Sequence, residues 1–206
     1  MEQKPKLKIG VTGGIGSGKS LFCAYFAEKG YPVISADLEA KRVLENDPEV
    51  KRQIVSAFGK GAFRNDGSPD TAYIAGKVFA SRENIELINS IIHPAVIRSI
   101  KKTMRELLKD NDVVFVEAAL LYEARMKKMF NYVVLVTADE DIRVKRAAEN
   151  LGVNEQAIRK RMTGQLPEDK KKDWADFTFV NNSTCDELKN KAEFFFNLLK
   201  KIGESN

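Results

Sequence analysis

The chain has 206 residues, 43% of them hydrophobic, and a formal net charge of +5. That apolar content is enough to bury a core and excludes a disordered chain, and the length suits one α/β domain with an inserted or flanking substrate region. The two cysteines, Cys23 and Cys185, lack metal-ligand spacing and make no disulfide framework, and no apolar stretch reaches signal-peptide or membrane-span length. A soluble, cytoplasmic protein is expected, and the modest positive excess suits either an ordinary solvated surface or an anion-binding face.

The lysine-rich start, residues 1–8, runs into alternating Leu7, Ile9 and Val11, a strand that ends in glycines. Residues 20–29 read as a helix stopped by Gly30, with Cys23 as a small core residue on it. Residues 31–35 form a second strand, which delivers Ala36 and Asp37 at its C-terminal end. From 38 to about 111 the patterns are helical. Val96, Ile97, Ile100, Met104, Leu107 and Leu108 recur at helical spacing, with Pro94 in that helix's first turn.

The apolar run 113–116 reads as a buried parallel strand ending on Glu117, and 132–136 as another. Two basic helices follow. One opens on Asp139-Glu140-Asp141, carries Arg143, Lys145 and Arg146, and stops near Gly152. The other, from about 154 to 163, carries Arg159, Lys160 and Arg161, and the run Lys170-Lys171-Lys172 after it reads as a solvated face. Residues 177–180 form a last strand before Asn181-Asn182, and Thr184 with Glu187 makes a capping-box pattern for a C-terminal helix. Strands alternating with helices predict a parallel sheet covered on both faces, with the helical stretch inserted over its C-terminal edge, where such folds bind ligands.

The segment Gly13-Gly14-Ile15-Gly16-Ser17-Gly18-Lys19-Ser20 fits G-x-x-x-x-G-K-[ST] between a strand and a helix. Its glycines let the backbone turn tightly and aim several N–H groups at phosphate oxygens, and the helix that follows offers its positive end to the same anion. Lys19 then reaches the β- and γ-phosphates, and the Ser20 hydroxyl holds Mg²⁺. No Asp-x-x-Gly occurs, and the nearest approach to Asn-Lys-x-Asp, Asn190-Lys191-Ala192-Glu193, falls inside an amphipathic helix, so a GTPase switch is disfavoured. Small size and late basic helices favour a small-molecule kinase with a mobile cationic lid. A nucleic-acid-binding protein suits the charge but leaves the glycine loop unexplained.

Phosphorylating an alcohol needs a group that takes its proton, commonly a carboxylate. Asp37 also suits a helix cap, but its place at the sheet's ligand edge favours the proton-accepting role. Glu117 suits either an Mg²⁺ contact through water or a plain ion pair, and Glu123 either an acceptor contact or a solvated position. His93, the only histidine, stands before Pro94, with a helix junction and a ligand contact as the two readings.

In these segments, taken in order, the sequence resembles the dephospho-CoA kinase family along nearly its whole length. The loop from Thr12 to Ser20 has that family's form, with Leu21 where a threonine is usual. Val33-Ile34-Ser35-Ala36-Asp37 is similar to the segment carrying the catalytic aspartate. Phe58-Gly59, Asp66-Gly67, Val78-Phe79 and His93-Pro94 keep the family's order, with Thr71 where an arginine normally follows the Asp-Gly turn. Glu117-Ala118-Ala119-Leu120-Leu121-Tyr122-Glu123 is similar to the family's acidic segment, with Ala119 in place of proline. Arg161 and Gln165 match the lid helix, and Ala175-Asp176 and Asn181-Asn182 the closing strand and loop.

The resemblance implies an α/β P-loop kinase, a three-layer sandwich with a mainly parallel sheet of about five strands. It divides the chain into a core (1–37, 112–140 and 174–206), a helical acceptor-binding region (38–111) and a lid (about 141–173). It implies phosphorylation of the ribose 3′-hydroxyl of dephospho-CoA by ATP with Mg²⁺, the last step of coenzyme A biosynthesis. Gly14, Ile15, Gly16, Ser17, Gly18, Lys19, Ser20 and Leu21 would cradle the phosphates, with Asn181 near the adenine. Ser20 would hold the metal, Asp37 accept the proton, and Arg146 and Arg161 act as lid cations. His93, Leu120, Tyr122 and Glu123, with Asp37, would hold the acceptor. A monomer without nucleic-acid or membrane partners is expected, and the alternative is another small-molecule or nucleoside monophosphate P-loop kinase.

Overall fold

The computed structural model describes residues 6–204, so residues 1–5 of the lysine-rich start, and residues 205 and 206, lie outside it. From β1 (Leu7–Thr12) the chain passes through the glycine loop into α1 (Lys19–Glu28) and β2 (Val33–Ser35). Four helices follow: α2 (Ala36–Asn46), α3 (Pro48–Phe58), α4 (Thr71–Val78) and α5 (Arg82–Asp110). The chain returns through β3 (Val113–Glu117) and β4 (Tyr132–Thr137) to the helices α6 (Glu140–Leu151), α7 (Glu155–Met162) and α8 (Glu168–Trp174). It ends with β5 (Phe177–Val180) and α9 (Cys185–Glu204).

The strands lie in the order β2-β3-β1-β4-β5, and every neighbouring pair is parallel. Parallel strands buried on both faces read as unbroken apolar runs, which is why 113–116 and 133–136 lack alternation. Against one face α1 and α9 bury Phe22, Phe26 and Phe195 with Phe115 of β3, and the rings of Phe26 and Phe115 stack at 4.3 Å. On the other side of β1, Leu121 and Phe130 pack where Gly10 leaves room for them. Cys23 is buried in the first cluster, as expected of a core residue. No described helix is long and apolar enough to cross a membrane.

The chain divides into two compact units. One is Ala36–Thr103, all helix apart from short connections; the other, Met1–Ser35 with Met104–Asn206, carries the sheet. In the helical unit, Asp47 caps α3 by accepting from the N–H groups of Glu49 and Val50, and Asp70 caps α4 through Tyr73 N–H. The Tyr73 hydroxyl then donates to the Phe58 carbonyl at 2.9 Å, tying α4 to the end of α3.

Two expectations change. Pro94 does not open a helix: α5 runs unbroken through it. A proline inside a helix removes one hydrogen bond and costs about 3 kcal/mol, but the buried face continues across it from Ile88 through Ala95, Val96 and Ile100 to Met104. Burial of that stripe outweighs the local break. The second is the lysine run. Lys170 and Lys172 are exposed, but α8 turns Lys171 inward until its side chain is fully buried.

Phe195 contacts the rings of Phe22, Phe26, Phe177 and Phe179. Phe195→Ala should lower unfolding free energy by about 3–5 kcal/mol in a urea titration. A loss under about 1 kcal/mol would mean that α9 is not packed on the sheet as described.

Candidate active site

The loop between Thr12 and Lys19 leaves the C-terminal end of β1, the central strand. Gly16 and Gly18 have φ of 76° and 93°, left-handed values that L side chains rarely adopt. Space closes both positions as well: a β-carbon on Gly16 would strike the Arg143 backbone, and one on Gly18 the Asn181 amide. Gly18 caps α1 without any side-chain hydrogen bond, and the dipole of a helix favours negative charge at such an end.

Lys19 and Ser20 converge on Glu117. The Ser20 hydroxyl donates to Glu117 Oε1 at 2.6 Å, and Lys19 Nζ lies 4.0 Å from the same oxygen. Register explains the meeting, since Glu117 ends β3 opposite Val11 of β1, just below the loop. Thr12 Oγ1 and Ser17 Oγ are buried with no hydrogen-bond partner among the described residues.

From β5's side, Asn181 donates its own N–H to the Thr137 carbonyl and its side-chain amide to the Ser17 carbonyl at 2.9 Å, bracing the loop from behind. Arg146 donates to the carbonyls of Asn181 and Ser183, both at 2.7 Å, and so holds that brace. Arg161 is exposed, and its side chain has no partner among the described residues. Arg159 is tied to Glu140 and Asp141, each at 2.8 Å.

Among the arginines of the two late basic helices, Arg143 meets the loop. Arg143 is buried, donates Nε to the Ala138 carbonyl at 2.9 Å and places Nη1 3.7 Å from Glu168. That guanidinium and the Glu168 carboxylate fill the space a side chain on Gly14 would need. Gln165 accepts the Ile15 N–H at 3.2 Å. A cavity of about 730 Å³ opens beside them, lined by Thr137, Asp139, Arg143, Gln165, Glu168 and Val180 among others. In the sequence Arg143 stands out only as one of several basic residues on two successive helices.

The segment after β3 packs against α8. Leu120 and Glu123 are half-buried, and Glu123 accepts the Leu166 N–H at 2.8 Å, in a turn rather than on the solvated helix weighed for it. Tyr122 meets Trp174 edge-on at 5.4 Å, and its hydroxyl is buried with no hydrogen-bond partner among the described residues. Burial, with a smaller push from Asp176, raises its phenol from its ordinary 10.0 to about 12. Burial likewise pushes the Cys23 thiol up, assisted by Glu117, which keeps it un-ionised.

The remaining two candidates lie in the helical unit. Asp37 is the second residue of α2, two beyond Ser35, whose register partner is Glu117. Its carboxylate is exposed and makes no hydrogen bond or ion pair among the described residues. His93 is half-buried within α5.

A parallel sheet in this strand order, with a glycine loop that delivers Lys-Ser onto a carboxylate from the adjacent strand, defines a P-loop kinase. The dephospho-CoA kinase family profile matches residues 7–187, and the chain belongs to that family. A curated dephospho-CoA kinase of Chlorobaculum tepidum is 35% identical over 99% of this chain and 100% of its own length. A Thermus thermophilus protein of known structure superposes with a TM-score of 0.80 at 28% identity, over 96% of this chain and 99% of that one. The dephospho-CoA kinase of Campylobacter jejuni shares the fold, with a TM-score of 0.71 at 23% identity over 97% and 98% of the two chains.

Tyr122 holds its proton more tightly folded than unfolded, so its contribution to stability is present below pH 10 and is lost as pH rises towards 12. Tyr122→Phe should change stability near neutral pH by no more than about 1 kcal/mol, since an unpartnered buried hydroxyl contributes little. It should also flatten the alkaline fall in urea-unfolding curves taken between pH 9 and 12 (roughly the span of the shift). An unchanged alkaline fall would place the phenol in solvent.

Proposed function

We propose that this chain transfers the γ-phosphoryl group of ATP to the ribose 3′-hydroxyl of dephospho-CoA, giving CoA and ADP. Family membership supports the acceptor. The observation that carries the chemistry is the convergence of the Ser20 hydroxyl and the Lys19 ammonium on Glu117, under an uncapped helix N-terminus. The loop from Gly14 to Leu21 cradles the β- and γ-phosphates, and Lys19 offsets the charge that develops on the transferring group.

The donors beside the loop fit Mg²⁺, because the Ser20 hydroxyl and the Glu117 carboxylate are hard oxygens. No group of three or more His, Cys, Asp or Glu occurs as a cage among the described residues, which suits an ion that keeps water and phosphate as most of its ligands. Bound there, it would neutralise phosphate charge and hold the triphosphate in line.

Asp37 takes the proton from the acceptor hydroxyl, a role supported by its exposed carboxylate, which has no partner among the described residues. Arg161, whose side chain has no partner among the described residues, is a lid cation that reaches the phosphoryl group, and Arg146 acts through the loop that carries Asn181, near the adenine. His93, Leu120, Tyr122 and Glu123 hold the acceptor. In this reading 38–111 is the acceptor-binding region, about 141–173 the lid, and 1–37, 112–140 and 174–206 the core of a cytoplasmic monomer that acts on a small molecule.

Asp37→Asn should lower kcat for ADP release with dephospho-CoA by about 10²–10⁴, the usual worth of general-base assistance, while MgATP affinity stays within about twofold. Turnover near wild type would return Asp37 to helix capping. Lys19→Ala should abolish measurable turnover, because its charge acts in the transition state. Wild-type turnover with nucleoside monophosphates but none with dephospho-CoA would sink the acceptor assignment and leave the kinase class standing.

A further inference from the structure

Lys171 is a fully buried cation for which the phosphoryl-transfer chemistry above has no use. A buried ammonium persists only where carboxylates repay its lost hydration. Here two do: Glu168 at 3.5 Å and Glu123 at 3.7 Å. Neither serves Lys171 alone. Glu168 accepts the Thr137 hydroxyl at 2.6 Å with one oxygen and faces Arg143 at 3.7 Å with the other. Glu123 accepts the Leu166 N–H with one oxygen, and its second is buried with no hydrogen-bond partner among the described residues. The cluster thus joins the β3–β4 connection, the end of β4, α6 and α8, and it balances two carboxylates with two cations.

This balanced cluster borders the phosphate loop. The Arg143 backbone fills the space beside Gly16, and its guanidinium with Glu168 fills the space beside Gly14. Losing Lys171 would leave Glu168 and Glu123 with Arg143 alone, a net negative charge in a low-dielectric setting against a loop built for a polyanion. Such a charge is poorly screened by salt and acts over the whole triphosphate.

The geometry points to Lys171 as a positioning residue for the nucleotide: its ammonium, held between Glu168 and Glu123, frees the Arg143 guanidinium to present positive potential at Gly14. It touches no substrate and acts through Glu168 and Arg143. The inference rests on the reading that ATP occupies the loop. A mere structural brace predicts something different, since it would lower stability on removal of either charge, with no regard to sign.

The test is MgATP binding, measured by titration calorimetry without acceptor at low and at moderate salt. The proteins are wild type, Lys171→Met, Glu168→Gln and the double variant. Lys171→Met should weaken MgATP on the order of tenfold, the scale of one added charge at this range. Glu168→Gln, which leaves a net positive charge, should bind at least as tightly as wild type, and the double variant should return to within about threefold of it.

Wild-type affinity in Lys171→Met, or a double variant as weak as the single, would overturn the inference. If thermal melting shows that Lys171→Met does not fold, Glu168→Gln decides alone, and weaker binding there than in wild type overturns it. Wild-type protein that binds no MgATP overturns the nucleotide reading, and this inference with it.

Discussion

Between Thr12 and Lys19 the backbone has a single way through. The Arg143 main chain presses on Gly16 and the Asn181 amide on Gly18, and both positions need left-handed φ values. That constraint demands glycine at both positions. Hydrogen bonds from the Asn181 amide to the Ser17 carbonyl and from the Ile15 N–H to Gln165 hold the loop, so its amides need little ordering at the moment of binding. It depends on strand order. β1 at the centre of the sheet has β4 on one side and β3 on the other, so the connections after β4 and β5 reach the loop from one side while Glu117 reaches Lys19 and Ser20 from the other.

Around this loop the molecule spends buried polar groups rather than surface charge. Asn181, Arg143, Thr137, Glu168 and Lys171 are buried or nearly so, and each has a named partner. Buried hydrogen-bonded groups of this kind rigidify a site, and each member is costly to lose, because its partner is left buried and uncompensated. Surface pairs such as Arg82 with Glu86 carry no comparable weight. The aromatic cluster under α1 and α9 is the apolar counterpart, and it holds the helix that follows the glycine loop.

The loop, the parallel sheet and Asp37's position after β2 were legible in the sequence because each rests on local rules: glycine spacing, unbroken apolar runs, a carboxylate at a strand end. Lys171 was not legible. Burial of one lysine in a run of three is decided by which way α8 rolls against Glu123 and Glu168, and both contacts depend on the fold. Arg143 was seen only as one of several basic residues, because its distinction from Arg146 and Arg161 lies in a backbone contact to Gly16. Pro94 misled for a related reason. Its local preference to open a helix yields to a buried stripe that continues on both sides of it.

The account claims that a preorganised loop delivers a phosphoryl group to an alcohol rather than to water. Its most direct test is the fate of labelled phosphate from ATP carrying ¹⁸O in the non-bridging γ-oxygens, with dephospho-CoA as acceptor and mass spectrometry of the products. The account predicts that the label appears in a 3′-phosphomonoester on CoA, in step with ADP. Label recovered only in inorganic phosphate, with dephospho-CoA unchanged, would contradict it.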